Sequence, residues 1–190
     1  MTTVYFVRHA QPNYENHNDR LRELTPKGLE DRKLVTACLE KQNIHAVFSS
    51  PYKRAVDTVK EFADLHHLQI QTVEDFRERK VGSGWIQDFD AFARRQWSDF
   101  SYKLTGGESL EEVRSRNIKA LQALLDTHRG KNIVIGTHGT ALCTILHHYD
   151  PSFGYEDFIR IRDIMPWVVR LEFDDIGNCV WIRYDPENKL

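Results

Sequence analysis

Two arginines and two histidines stand where this chain could do chemistry. Arg8 and His9 end the apolar run Val4-Tyr5-Phe6-Val7. Arg54 follows Ala46-Val47-Phe48 and Ser49-Ser50-Pro51, and His138 follows Asn132 to Ile135 within Gly136-Thr137-His138-Gly139. Each short apolar run reads as a buried strand. In open α/β sheets, ligands sit outside the carboxyl ends of strands. Two arginines so placed can hold a phosphoryl group through paired charge-assisted hydrogen bonds. Two histidines between them can supply a nucleophile and a further donor. The glycines around His138 let backbone approach a ligand closely. Arg8 and His9 equally suit a strand that merely reaches solvent there; the agreement of three strand ends is what points to an anion site.

The elements that position these residues can be read from pattern. Thr25-Pro26 is a helix start, with threonine as cap and proline at the first helical position, and Leu29, Val35, Cys38 and Leu39 give its apolar face. Ser50-Pro51 reads as another start, followed by Ala55, Val59, Phe62 and Ala63 on one face. A third strand is expected over Leu68 to Val73. From Phe76 to Thr105 the chain changes character, with a Gly82-Ser83-Gly84 hinge and the aromatics Trp85, Phe89, Phe92, Trp97, Phe100 and Tyr102. This helical excursion, about 83–107, suits either a wall beside the substrate or aromatics packing on the sheet. Ser109-Leu110-Glu111-Glu112 is a capping box opening a long helix to Gly130. A helix is expected over Ala141 to His148, then strands over Trp167 to Phe173 and Cys179 to Tyr184 around a hairpin turn at 174–178. The pattern implies a three-layer α/β/α sandwich on a mostly parallel mixed sheet, one domain over 1–190.

Bulk properties narrow the classes. With 190 residues, 41% hydrophobic and 28% charged, the chain can bury a core without disulfides. A net charge of -2 gives no general attraction to nucleic acid. Cys38, Cys143 and Cys179 are unpaired in spacing and suit a reduced, cytoplasmic setting. No apolar stretch is long enough for a bilayer, and the N-terminal run is too short for a secretory signal. His66-His67 and His147-His148 are adjacent pairs, which cannot face one ligand from a helix, so no metal site is expected.

Arg8-His9-Ala10 resembles the Arg-His-Gly signature of the histidine phosphatase superfamily, also called phosphoglycerate mutase-like. Leu24-Thr25-Pro26-Lys27-Gly28 is similar to its Leu-Thr-x-x-Gly, and Ser49 to Thr58 to its Ser-Ser-x-x-x-Arg-Ala-x-x-Thr block. Phe76-Arg77-Glu78 with Gly82, Gly107-Glu108-Ser109 and Gly136-Thr137-His138-Gly139 follow in the family's order. The resemblance implies His9 as a nucleophile forming a phosphohistidine, with Arg8, Arg54 and His138 around the phosphoryl oxygens. It implies Glu78 as the acid that protonates the leaving alcohol, and Gln11, Asn16 and the Gly139 backbone as substrate contacts. No cofactor is implied. Departures exist: Ala10 stands for the commoner glycine, Asn16 is shifted, and Gly84-Trp85-Ile86-Gln87 lacks the usual Trp-Glu-Gly.

The expected activity is hydrolysis of a small phosphorylated metabolite through the phosphohistidine, without metal, nucleic acid or membrane, and with oligomeric state and substrate left open. A phosphoglycerate mutase-type phosphotransferase would use the same residues but shield the phosphoenzyme from water. A catalytically inactive phosphate-binding or protein-docking module would need a blocked pocket. An open site would also admit a phosphopeptide.

Overall fold

Successive residues of β1 (Thr2–Arg8) belong to different cores. Val4 and Phe6 join one buried cluster, Tyr5 and Val7 another. A strand buried on both faces needs helices on both sides. The computed structural model, which describes residues 1–84 and 86–184, has that arrangement.

The first half of the chain alternates helix and strand: α1 (Pro26–Leu39), β2 (Ile44–Ser49), α2 (Lys53–Leu65) and β3 (Ile70–Thr72), then a single 3-10 turn at Glu74–Phe76. The second half holds α3 (Phe89–Ser98), α4 (Leu110–Thr127), β4 (Asn132–Thr137), α5 (Gly139–Tyr149), α6 (Tyr155–Ile161), β5 (Trp167–Phe173) and β6 (Cys179–Tyr184). The strands order as β3-β2-β4-β1-β5-β6. The first four are parallel, β5 runs antiparallel to β1, and β6 antiparallel to β5, so that β6 points the same way as the first four. Helices α1 and α2 cover one face with Val35, Leu39, Val59 and Phe62. Helices α3 to α6 cover the other through Trp97, Leu121, Leu142 and Phe158. The expected three-layer mixed sandwich is the observed fold.

Local chemistry explains most boundaries. Thr25 caps α1 by accepting the Gly28 N–H, and Ser109 and Glu112 close the reciprocal capping box of α4. Helix α2 departs from expectation: it begins at Lys53 with Tyr52 as a boundary residue whose own side chain makes no cap, while the Ser50 hydroxyl accepts the Tyr52 N–H and also meets His138. Strand β3 is only three residues long. Helix α6 is an element beyond those expected from the sequence pattern; Asp157 accepts the Gly154 N–H at 2.9 Å to start it. Within the aromatic excursion, Phe92 and Trp97 are buried, Trp97 packing on Phe100, His147, Phe153 and Phe158. Trp85 lies outside the described residues. Among the described residues no helix is long and apolar enough to cross a membrane.

Candidate active site

Parallel pairing brings the chemistry together. β1 and β4 run in register with Arg8 opposite Thr137, and the His9 N–H donates to the Thr137 carbonyl at 3.1 Å. His9 and His138 therefore leave adjacent strands side by side, their ring centroids 5.2 Å apart. β2 flanks β4 with Ser49 opposite Gly136, which sets Ser50 beside His138.

His9 is 5% exposed. Its Nδ1 lies 2.8 Å from the Ala10 carbonyl, which can only accept, so Nδ1 carries the proton and Nε2 keeps its lone pair. Burial, then the positive charges of Arg54 and Arg8, push its pKa well below the ordinary histidine value. A neutral imidazole with a free Nε2 is a competent nucleophile. The Ala10 N–H donates to Thr58 Oγ1, and that hydroxyl donates to the Arg54 carbonyl, tying the nucleophile to α2.

His138 is fully buried and likewise held neutral by burial and by Arg54 and His9. Its Nε2 lies 2.7 Å from Ser50 Oγ, which already accepts the Tyr52 N–H at 3.2 Å. With the hydroxyl proton directed to Nε2, Nδ1 becomes an N–H donor, and that buried atom has no partner among the described residues.

Arg8 is spent differently from what its motif suggests. One Nη donates to the carbonyls of Ile161 and Ile164 at 2.7 and 3.2 Å, the other to Arg162 at 2.8 Å. The guanidinium thus caps the C-terminal end of α6, where carbonyls are left over. Nε, buried and without a partner among the described residues, and the second N–H of Nη2 remain to meet a ligand. Gly139 has a steric reason to be glycine: a Cβ there would stand 3.1 Å from Arg8 Nε and 3.2 Å from Cζ and Nη2. Arg54, 3% exposed, donates to the Asp19 carbonyl at 2.5 Å and pairs with the Asp19 carboxylate at 3.0 Å.

Glu78 meets the same strand ends from another direction. Its Oε1 accepts from the Arg79 and Ala141 N–H groups at 2.7 and 3.1 Å, and Oε2 from Thr140 at 3.0 Å. The carboxylate sits on the first turn of α5, immediately after His138 and Gly139. Neither neighbouring arginine pairs with it: Arg77 goes to Glu108 and Arg79 to Gln96. Two residues that sequence reasoning gave no role hold this segment. Arg116 donates to the carbonyls of Asp75, Arg77 and Glu78, and Glu108 binds Arg116, Arg77 and the Lys80 N–H. The signal for Glu108 lay in Gly107-Glu108-Ser109; Arg116 had none.

The first loop is braced from within. Gln11 Oε1 accepts from the Thr25 hydroxyl at 3.0 Å, and its carbonyl crosses α1 so closely that a Cβ on Gly28 would lie 2.3 Å from it. Asn16 and Asn13 both donate to the Glu23 carboxylate, at 2.6 and 2.7 Å, and hold its pKa down to about 2. The Asn16 side chain is thereby committed to the loop. Among the described residues no group of three or more His, Cys, Asp or Glu is arranged to hold a metal.

The chain is similar to known proteins in sequence and in fold. Residues 4–179 match the model of the histidine phosphatase superfamily, branch 1. A phosphoglycerate mutase-like protein 4 from Arabidopsis thaliana is 31% identical over 166 residues, 78% of this chain and 71% of that protein. A putative phosphoserine phosphatase 2 from Hydrogenobacter thermophilus is 28% identical over 158 residues, 77% of each chain. Among solved structures, a phosphoserine phosphatase of Entamoeba histolytica in complex with phosphoserine superposes with a TM-score of 0.78 at 18% identity, covering 100% of both chains.

Proposed function

The chain belongs to branch 1 of the histidine phosphatase superfamily, and on that premise we propose that it hydrolyses a small phosphomonoester through a phosphohistidine on His9. The observation that carries this is the state of His9: neutral, with Nδ1–H bound to the Ala10 carbonyl and Nε2 left as a nucleophile. Nε2 attacks phosphorus while the bond from phosphorus to the ester oxygen breaks. Arg54, the Arg8 Nε–H and the His138 Nδ1–H are the donors for the phosphoryl oxygens, stabilising charge that grows in the transition state. Gly139 contributes its backbone N–H, and Gln11 is a further substrate contact.

Glu78 gives a proton to the leaving alkoxide, then takes one from the water that attacks the phosphohistidine and releases phosphate. Its Oε2 is the oxygen suited to this, since it accepts one backbone N–H where Oε1 accepts two. No step calls for a metal or an organic cofactor, and the cellular setting consistent with three unpaired cysteines is the cytoplasm. The substrate class is supported by relatives whose names include phosphoserine phosphatase and phosphoglycerate mutase-like protein.

The test is turnover of an aryl phosphate, phosphoserine, phosphoglycerates, sugar phosphates and a phosphopeptide in the presence of chelator. Wild-type release of phosphate, absent in His9→Ala, is the expected result. Glu78→Gln should lose roughly 100-fold or more on alkyl esters and less on the aryl ester, whose leaving group needs no proton. Transfer to a second hydroxyl in place of water would identify a mutase, and no turnover on any ester would refute the phosphatase.

A further inference from the structure

Three arginines, not two, bring positive charge to His9: its neutral form is favoured by Arg54, Arg8 and also Arg22. Arg22 comes from the first loop, where its Nε donates to the Asn16 carbonyl at 2.8 Å. Its Nη1 lies 3.2 Å from Asp19 Oδ1, the same oxygen that Arg54 Nη2 holds at 3.0 Å. One carboxylate oxygen therefore sits in a fork made by two guanidinium groups. The three side chains differ sharply in freedom: Arg54 is 3% exposed, Arg22 14% and Asp19 46%.

Resting on the phosphatase proposal, we infer that Asp19 is an internal anion occupying part of the phosphoryl site, and that Arg22 is a further phosphoryl ligand uncovered when substrate displaces it. The charge balance requires the displacement. A phosphoryl dianion bound to Arg54 with Asp19 in place would lie directly beside the carboxylate that Arg54 and Arg22 share, a like-charge contact. The two arginines share one carboxylate, so the pair retains net positive charge and still attracts an anion. Asp19 is the member free to turn toward solvent. The phosphoryl oxygen then inherits the same fork, two charge-assisted donors on one oxygen. No covalent step is added; one anion replaces another. The neighbouring Glu23 cannot substitute for Asp19, because Asn13 and Asn16 already hold it.

The experiment is calorimetric titration of inorganic phosphate, at fixed ionic strength, into the wild type, Asp19→Asn, Asp19→Asn with Arg22→Gln, and Asp19→Asn with Arg22→Lys. Removing the internal anion should tighten phosphate binding about fivefold, the scale of a partly exposed ion pair. In that background Arg22→Gln should weaken binding about tenfold, and Arg22→Lys should restore most of it by keeping the charge. Phosphate bound no more tightly by Asp19→Asn would make Asp19 a strut for Arg54 and overturn the inference. So would an Arg22→Lys protein as weak as Arg22→Gln, which marks a collapsed loop. Either result, with wild-type ester hydrolysis intact, leaves the phosphatase standing. A wild type that neither binds phosphate nor hydrolyses esters removes both.

Discussion

Acidification should destabilise this protein through the two histidines that make its site. His9 and His138 are buried, and their folded pKa values are pushed well below the ordinary 6.5 by burial first and by arginine charge second. As pH falls through 6.5 the unfolded chain takes up a proton at each ring while the folded protein does not. Stability therefore rises with pH across this window and is lost on the acid side. For as long as both folded rings stay neutral, each costs about 1.4 kcal/mol per pH unit below 6.5, so the pair costs about 3 kcal/mol by pH 5.5. Glu23, held at about 2, titrates far below this range. His148 is shifted the same way by partial burial and adds a smaller slope common to all variants. Urea unfolding at pH 7.5 and 5.5, in the wild type and in His9→Asn and His138→Asn, isolates each ring. Each single variant should lose about 1.4 kcal/mol less than the wild type on going to pH 5.5. Equal losses in all three proteins would refute the claim that these imidazoles are buried and neutral.

Two further outcomes follow from the packing around them. Ser50→Ala strips the partner from His138 Nε2, leaving a buried polar atom unsatisfied at a cost of about 1–3 kcal/mol, and should lower kcat roughly tenfold. Ser50→Thr keeps the hydroxyl and should retain more activity than Ser50→Ala; the reverse order in steady-state assays would show that the hydroxyl does not set the tautomer. Gly139→Ala puts a methyl 3.1 Å from Arg8 Nε. Three carbonyl bonds prevent that guanidinium from yielding, so about 1–3 kcal/mol of unfolding free energy and a roughly tenfold fall in kcat/KM are expected. Unchanged values of both would mean that Arg8 is free to move.

The strand ends were legible in the sequence because local signals agreed with topology. Buried runs such as Val4 to Val7 stop at charged residues, and the Thr25 and Ser109 caps are local hydrogen bonds between residues three apart. What could not be read depends on distant partners. Ser50 reads as a helix start and its hydroxyl does accept the Tyr52 N–H, yet nothing local shows that it also meets His138, 88 residues away. The two Nη groups of Arg8 looked free for a ligand but serve the end of α6, more than 150 residues on, a seven-residue helix too short for a clear apolar period. The family resemblance implies Asn16 as a substrate contact; only the folded loop shows that its amide also donates to Glu23. Arg116, with Glu108, reveals itself only once the Glu78 segment lies across it.

The central claim is that His9 carries the phosphoryl group. Mixing the protein with a phosphomonoester turned over in the panel, quenching in alkali within the first turnovers, and locating the phosphate by peptide mass spectrometry tests it directly. The expected result is an acid-labile, alkali-stable phosphate on Nε2 of His9, absent from His9→Ala and longer-lived in Glu78→Gln. Turnover with no phosphate on His9, or undiminished turnover by His9→Ala, would contradict it.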